Sequence, residues 1–392
     1  MIESYRNKFN EEFSTEKYQK TLDLIKDEAG FIPHFRVSES PIFIDSNFKN
    51  KLISACDSIV EQIKRMFNQS LQKAIPDNCN VPNDEEHPHF LTIDFGICES
   101  ENGEIEPQLI ELQAFPTLYS FQKKLKNTLI EVYPFLNTTE QSLPTDEYIA
   151  ALKSLIIGEE DPKNVILMEI FPEKQKTQID FIFTEKFLGI KTVCLTKVIK
   201  KGKDLFYEEN NELIHIRRIY NRVIFDELDR IPDLKLNFDV REEVNVKWIT
   251  HPNWFFKISK YLLPQLKHQY IPKSYFLNDF PSEEKLENFV LKPLFSFAGA
   301  GVNLYPTQEL IDSIEDPHNF IMQRKVNYAQ IFKDPNNQFS KAEIRLLYIW
   351  PEDKPEPQLM EYLVRMTKAE MVNVDFNKKD AIWIGGTTAF FV

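Results

Sequence analysis

The sequence predicts a mixed α+β chain with an α/β segment in its middle. Three observations predict it. Apolar residues recur at helical spacing in the first 80 residues, nearly continuous apolar runs alternate with a helical stretch after residue 150, and strand-like segments dominate the last hundred residues. The chain has 392 residues, 42% hydrophobic and 27% charged, enough for a real core.

Taken in order, residues 1–30 read as helical, with Phe13, Tyr18, Leu22 and Ile25 on one face, and residues 47–74 repeat the pattern with Phe48, Leu52, Cys56, Val60, Ile63 and Phe67. The Pro-, Asn- and Asp-rich stretch 75–88 reads as a loop. Phe90–Phe95 and Gln108–Leu112, around Glu101-Asn102-Gly103, predict a hairpin. Asn164–Ile170 and Gly189–Leu195 read as strands buried on both faces, separated by a helix-like stretch, as in a βαβ unit. Residues 251–268 read as helix. Val290–Pro293, Val302–Tyr305, Ile344–Trp350, Glu361–Met366 and Ile382–Gly385 read as strands. There is no internal repeat and no long linker.

Charge and cysteines narrow the function. With 47 Lys and Arg against 60 Asp and Glu, the net charge is −13, which disfavours general binding of nucleic acid or anionic membrane but leaves room for a nucleotide where cations converge. No apolar run reaches the roughly 18 residues of a bilayer span. The charged start MIESYRNKFNEEF lacks the apolar core of a signal peptide. Four scattered cysteines without CxxC read as reduced thiols, and a cytoplasmic location is expected.

Glycine is scarce, 10 in all, so its clustering is informative. The segment from Phe289 to Val302 ends a strand in Lys292-Pro293 and passes through Ser296, Phe297, Ala298, Gly299, Ala300 and Gly301. It reads equally as a phosphate cradle, with Lys292 as a point charge, or as a hairpin with a glycine turn. Asp94, Glu111 and Gln113 lie on neighbouring strand segments. They suit Mg²⁺, which takes one or two protein carboxylates, or they form a solvent-facing strand edge. Lys257, Lys260 and Lys267 sit on or just past an apolar helix, where a lysine ordinarily snorkels. Arg217, Arg218 and Arg222 form either a carboxylate site or a strand paired with Asp226, Glu227 and Asp229. Arg345 and Arg365 stand within terminal strands, facing solvent or a phosphate. His87 and His89 flank a proline and read as loop residues rather than as a metal pair.

Together these segments resemble the circularly permuted ATP-grasp ligases typified by glutathionylspermidine synthase. Asp94 and then Glu111-Leu112-Gln113-Ala114-Phe115-Pro116-Thr117 follow the order of that family's metal-binding segment. Ser259-Lys260-Tyr261-Leu262-Leu263-Pro264-Gln265-Leu266 matches its nucleotide-lysine segment, Lys292-Pro293 with Gly299 and Gly301 its phosphate loop, and Phe320-Ile321-Met322-Gln323 its adenine-facing hinge. The resemblance covers about residues 90–120 and 250–392. It departs from the family at Thr92, which replaces an arginine, at Gln113, which replaces an asparagine, and at Ser296 and Phe297, which replace a loop glycine and arginine. These departures argue against glutathionylspermidine synthase itself.

The resemblance implies three regions: helices plus metal-binding strands over 1–150, a Rossmann-like pre-ATP-grasp region over 151–250, and a nucleotide lobe over 251–392. It implies an ATP- and Mg²⁺-dependent ligase that joins a small-molecule carboxylate to an amine through an acyl phosphate. ATP would lie on Lys260, Lys292, Ser296, Gly299, Gly301 and Gln323, and Mg²⁺ on Asp94, Glu111 and Gln113. Arg365, then Arg345, would meet transition-state charge in place of the absent arginine, and the 217–222 arginines would face a carboxylate substrate. An ATP-binding module without ligase activity and a phosphotransferase on the same fold are the alternatives.

Overall fold

A computed structural model describes residues 2–67, 71–140, 143–296, 299–334, 336–370 and 381–392. The chain opens with helices α1 (Glu3–Glu12) and α2 (Thr15–Ala29). The second starts where the Ser14 hydroxyl accepts from the Lys17 amide (3.2 Å) and stops at Gly30, in the left-handed region at φ 89°. Strand β1 (Ile42–Ile44) leads into α3 (Ser46–Met66), capped by Asp45 on the Phe48 amide at 2.8 Å. The apolar stripe of α3, Phe48 to Ile63, is buried as its spacing predicted, but the helix ends at Met66 and residues 71–74 form a separate 3₁₀ turn.

Strands β2 (Phe90–Glu99) and β3 (Ile105–Gln113) form the expected hairpin, followed by helices α4 (Tyr119–Val132) and α5 (Thr145–Ile156). Then come β4 (Val165–Glu169), α6 (Gln178–Leu188), β5 (Lys191–Cys194), the short strands β6 (Ile199–Lys201), β7 (Asp204–Glu209) and β8 (Glu212–Ile216), β9 (Arg218–Asn221), α7 (Phe225–Asp229) and β10 (Lys247–Ile249). Among the described residues, β10, β9, β4 and β5 form an all-parallel sheet in that order, and β6–β8 an antiparallel meander. Every residue of β4 is buried, as a strand covered on both faces requires.

The predicted 251–268 helix is replaced by one turn, α8 (Trp254–Lys257), and a 3₁₀ segment over Lys260–Gln265. Ser259 interrupts it, with extended backbone and a hydroxyl that accepts from the Tyr261 amide (3.2 Å), and Pro264 offers no N–H to continue an α-helix. Beyond it lie β11 (Ser274–Phe276), β12 (Phe289–Pro293), α9 (Gln308–Asp312) and β13 (Phe320–Arg324), with β13 between β11 and β12 in a small antiparallel sheet. Val302–Tyr305 is not a strand: only Asn303 pairs, exchanging two backbone bonds with Leu291. The last elements are β14 (Phe332–Lys333), β15 (Phe339–Ile349), β16 (Gln358–Thr367), β17 (Gly385–Thr387) and β18 (Ala389–Phe391). The last predicted strand thus begins at Gly385, because Trp383, at φ 56°, breaks extended geometry before it.

The central sheet is built from both ends of the chain, in the order β17-β16-β15-β2-β3, with β14 pairing on β15. The N-terminal segment extends it: Gly386 N–H donates to Arg36 O (2.8 Å) and Ser38 N–H to Gly386 O (2.9 Å), and β1 pairs in parallel with β18. Only glycine fits at 385. Its φ is 110°, and a Cβ there would sit 2.3 Å from Arg36 O. One sheet face packs on the cluster that includes Ile93, Phe95, Leu112, Ile344, Leu346 and Val364. Side chains alternate faces along a strand, so the other face carries Glu111, Asp94, Arg345, Glu343 and Arg365. No helix among the described residues is long and apolar enough to cross a membrane.

Candidate active site

Register sets the site. Asp94 lies directly opposite Glu111 on one side and Arg345 on the other, and Glu343 lies opposite Arg365. A bulge sharpens the arrangement: the pairing steps from Asp94–Glu111 to Phe95–Leu109, leaving Ile110 extra. The Ile110 carbonyl accepts from Lys292 Nζ at 3.3 Å.

A cavity of about 530 Å³ opens over this face. Lys260, Lys292, Ser296, Gly299, Gln323, Glu111, Gln113, Arg345 and Arg365 all line it. Gly301 does not; it turns the loop at φ 72°, where a Cβ would meet Pro293 Cγ at 2.8 Å. Phe297 and Ala298 lie outside the described residues.

Four cations surround Glu111. Lys260 Nζ is 3.7 Å from one carboxylate oxygen and donates to Ser296 O at 2.8 Å, and Arg345 Nη2 is 3.7 Å from the other oxygen. Burial alone would raise the Glu111 carboxyl, but Lys260, Arg365, Arg345 and Lys292 outweigh it and hold its pKa down at about 2. Burial pushes the Lys292 ammonium the other way, down to about 8, against the opposing pull of Glu111. Lys292 Nζ donates to Gln323 Oε1 (2.5 Å), and Gln323 Nε2 donates to Leu109 O (3.1 Å). The Gln323 amide, expected at an adenine edge, therefore orients Lys292.

Two of the three residues expected to hold a metal, Asp94 and Gln113, are turned toward Arg345. Asp94 is fully buried and accepts two bonds from Arg345, Nε to Oδ1 and Nη2 to Oδ2 at 2.7 Å each, and a third from Arg365 Nη2 at 2.5 Å. The two guanidinium groups thereby take three of the carboxylate's roughly four lone-pair sites. The Gln113 amide, turned so that its oxygen faces Arg345, accepts from Nη2 at 2.7 Å. Among the described residues no group of three His, Cys, Asp or Glu side chains is arranged to hold a metal. Glu111 remains on the cavity wall, joined by Glu343, which the sequence reading missed.

Glu343 accepts from Tyr328 OH (2.5 Å) and pairs with Arg365 Nη2 at 2.9 Å. Burial raises its carboxyl, with Arg365 and Tyr328 opposing. One available signal was its position two residues before Arg345, which places both on one strand face. Burial works against the charged Arg365 guanidinium, but Glu343, Asp94 and Glu111 outweigh it and raise its pKa. Among the described residues its Nε is buried without a hydrogen-bond partner, as are Ser296 Oγ and Thr92 Oγ1.

The 217–222 arginines are not brought to the cavity. Arg217 is half exposed and 3.8 Å from Glu160. Arg218 donates to the Leu155 and Ile156 carbonyls at the end of α5, at 2.8 and 3.0 Å. Arg222 donates to Pro116 O at 2.6 Å and Phe115 O at 3.3 Å, which holds the segment after β3 in place. Nor do they pair as the alternative had it: Asp226 pairs with Arg230 and Asp229 with Arg241. Lys257 is spent on Asp84, and His89 bonds Glu352 at 3.0 Å.

No protein-family model matches the chain, and no curated protein matches it. Among solved structures, a glutathione synthetase-like effector (GSS30) from Globodera pallida, solved in apo form, aligns over 96% of each chain with a TM-score of 0.58 and 9% identity. The chain therefore has a mixed α/β fold similar to that of this glutathione synthetase-like protein.

Proposed function

We propose that the chain is an ATP-dependent carboxylate–amine ligase, built as a circularly permuted ATP-grasp fold. In this reading residues 151–250 are the pre-ATP-grasp-like region and 251–392 the main nucleotide lobe. The observation that carries it is the convergence of Lys260, Lys292, Arg345 and Arg365 on one cavity of a chain whose net charge is −13. Asp94, Glu111 and Glu343 offset much of this charge, and a bound polyanion would complete the compensation in a partly dry site. The orphaned Ser296 hydroxyl and Arg365 Nε fit a ligand rich in acceptor oxygens.

ATP would supply the phosphoryl group that activates a substrate carboxylate. Lys260 and Lys292 hold phosphate oxygens as point charges, with the backbone at Ser296 and Gly299 alongside. Arg345 and Arg365, fixed by Asp94, neutralise charge that develops between the two reactants. Mg²⁺ would fall to Glu111 and Glu343, since Asp94 and Gln113 face Arg345; two carboxylates suffice for an ion that takes its other ligands from phosphate and water.

Calorimetry of ATP with Mg²⁺ tests this. Wild type is expected to bind, Lys292→Ala to lose affinity at least tenfold, about the 1.4 kcal/mol that a charge-assisted contact carries, and Glu111→Ala to lose the Mg²⁺ dependence. Absence of ATP binding up to millimolar concentration refutes the proposal. A second reading, nucleotide binding without ligation, is favoured by Thr92 in the family's arginine position and by the commitment of Asp94 to two arginines. It predicts ATP binding with no carboxylate- or amine-stimulated phosphate release.

A further inference from the structure

The cavity has a second end. Lys260 and Lys292 reach the cavity over β3, at one edge of the central sheet, and β17, on which the 36–38 segment pairs, is the last strand at the other side. Four strand spacings separate them, about 19 Å at the usual 4.8 Å. At the β17 end the lining residues are Phe35, Leu118, Phe121, Leu363 and Gly386. Phe35 and Phe121 meet edge to face with centroids 5.4 Å apart. Leu118 packs against both the cluster holding Phe121 and the cluster holding Leu363. The Phe35 ring lies over Gly386: a Cβ there would be in ordinary contact with it at 3.5 Å.

Polar groups nearby are turned into the protein. Gln122 Nε2 donates to Tyr362 O (2.8 Å) and Thr387 O (3.0 Å), and the Thr117 hydroxyl bonds Asp180 (3.2 Å). Lys176, also on the lining, is exposed. One cationic group borders this apolar end from the sheet: Arg365, directly opposite Gly386 in register, with its Nε buried and unpartnered.

We propose that this end is a substrate subsite for a small carboxylate with an apolar body, an aryl or branched alkyl chain, whose carboxylate meets Arg365. As a substrate assignment it rests on the ligase reading above. Apolar walls around one guanidinium match one charged head and one dry tail. A dicarboxylate would place its second charge between the Phe35 and Phe121 rings, where among the described residues only the exposed Lys176 on the lining offers a charge against its lost hydration. The N-terminal segment thereby acquires a role: Phe35, held by the pairing of Arg36 and Ser38 with Gly386, sets specificity.

Calorimetry with 3-phenylpropionate and glutarate tests the proposal, each titrated with and without ATP, on wild type, Phe35→Ala and Phe35→Leu. Wild type is expected to prefer 3-phenylpropionate by about 10- to 100-fold, the discrimination an apolar pocket gives. Phe35→Ala should lose about tenfold of that affinity, and Phe35→Leu, which keeps an apolar wall, should stay within about threefold. Thermal unfolding checks that both variants are folded. If ATP binds but glutarate binds as well as or better than 3-phenylpropionate, the subsite proposal falls and the ligase reading stands. If 3-phenylpropionate binds and depends on Phe35 while ATP does not bind, the subsite stands as a binding site and the ligase reading falls. Loss of affinity in Phe35→Leu equal to that in Phe35→Ala also counts against it, because an apolar wall alone would not then be the determinant.

Discussion

Asp94→Ala removes the anion that two guanidinium groups share. In the structure Asp94 is fully buried and receives three charge-assisted hydrogen bonds, two from Arg345 and one from Arg365. Truncating one partner of a buried ion pair costs about 3–5 kcal/mol, because the remaining charge is left desolvated. Glu111 and Glu343 stay beside the arginines, so the lower half of that range is expected. An unfolding entropy of about 2.1 cal/mol/K per residue, over the whole chain, converts 3–4 kcal/mol into a fall in Tm of about 4–5 °C. Differential scanning calorimetry measures it; if the chain melts in two steps, the step that carries the central sheet should move. The competing picture, in which Asp94 is an open metal ligand, predicts the opposite sign, since removing surplus negative charge from a metal-free site usually stabilises. A Tm within about 1 °C of wild type, or above it, refutes the clamp reasoning.

Two further outcomes depend on pH. Burial depresses the Lys292 pKa to about 8, so affinity for a polyanion such as tripolyphosphate should decline as pH rises through about 8; Lys292→Arg should abolish that limb, and a flat wild-type profile from pH 7 to 9 counts against a role for Lys292. Glu169, at the end of β4, has its carboxyl raised to about 8 by burial, with Arg222 and the Ile170 amide only partly offsetting it. Between the usual carboxylate range and pH 8 the folded form holds a proton that the unfolded form has lost, so Glu169 lowers stability as pH rises across that window. Glu169→Gln should therefore flatten the fall of Tm between pH 5 and 8, and an unchanged slope refutes the assignment.

The elements that were legible in the sequence are those whose neighbours impose a simple period. The buried run of β4, the amphipathic face of α3 and the hairpin β2–β3 follow from alternation and turn residues, and the structure differs mainly in their ends. The 251–268 stretch misled because its apolar spacing is helical, while Ser259 and Pro264 divide it into a single turn and a 3₁₀ segment. Motif order gathered Lys260, Lys292, Glu111, Gln113 and Gln323, the missing family arginine pointed to Arg365 and Arg345 as substitutes, and all of these line one cavity.

What the residues by themselves determined is therefore the mixed α/β character and the inventory of charges. Both depend on local periodicity and composition. Which charge serves which purpose was decided only by tertiary register. Asp94 reads as a metal ligand from its neighbours in sequence, and only β15 beside β2 shows that Arg345 stands opposite it and donates two hydrogen bonds to it. The 217–222 arginines look like an anion site until β8 and β9 enter different sheets and send Arg218 and Arg222 to backbone carbonyls. Phe35 carries no signal at all until the segment around Arg36 and Ser38 pairs on β17, a strand from the far end of the chain. Pairing partners hundreds of residues apart leave no local pattern, so the side chain they bring together is invisible until the strands meet.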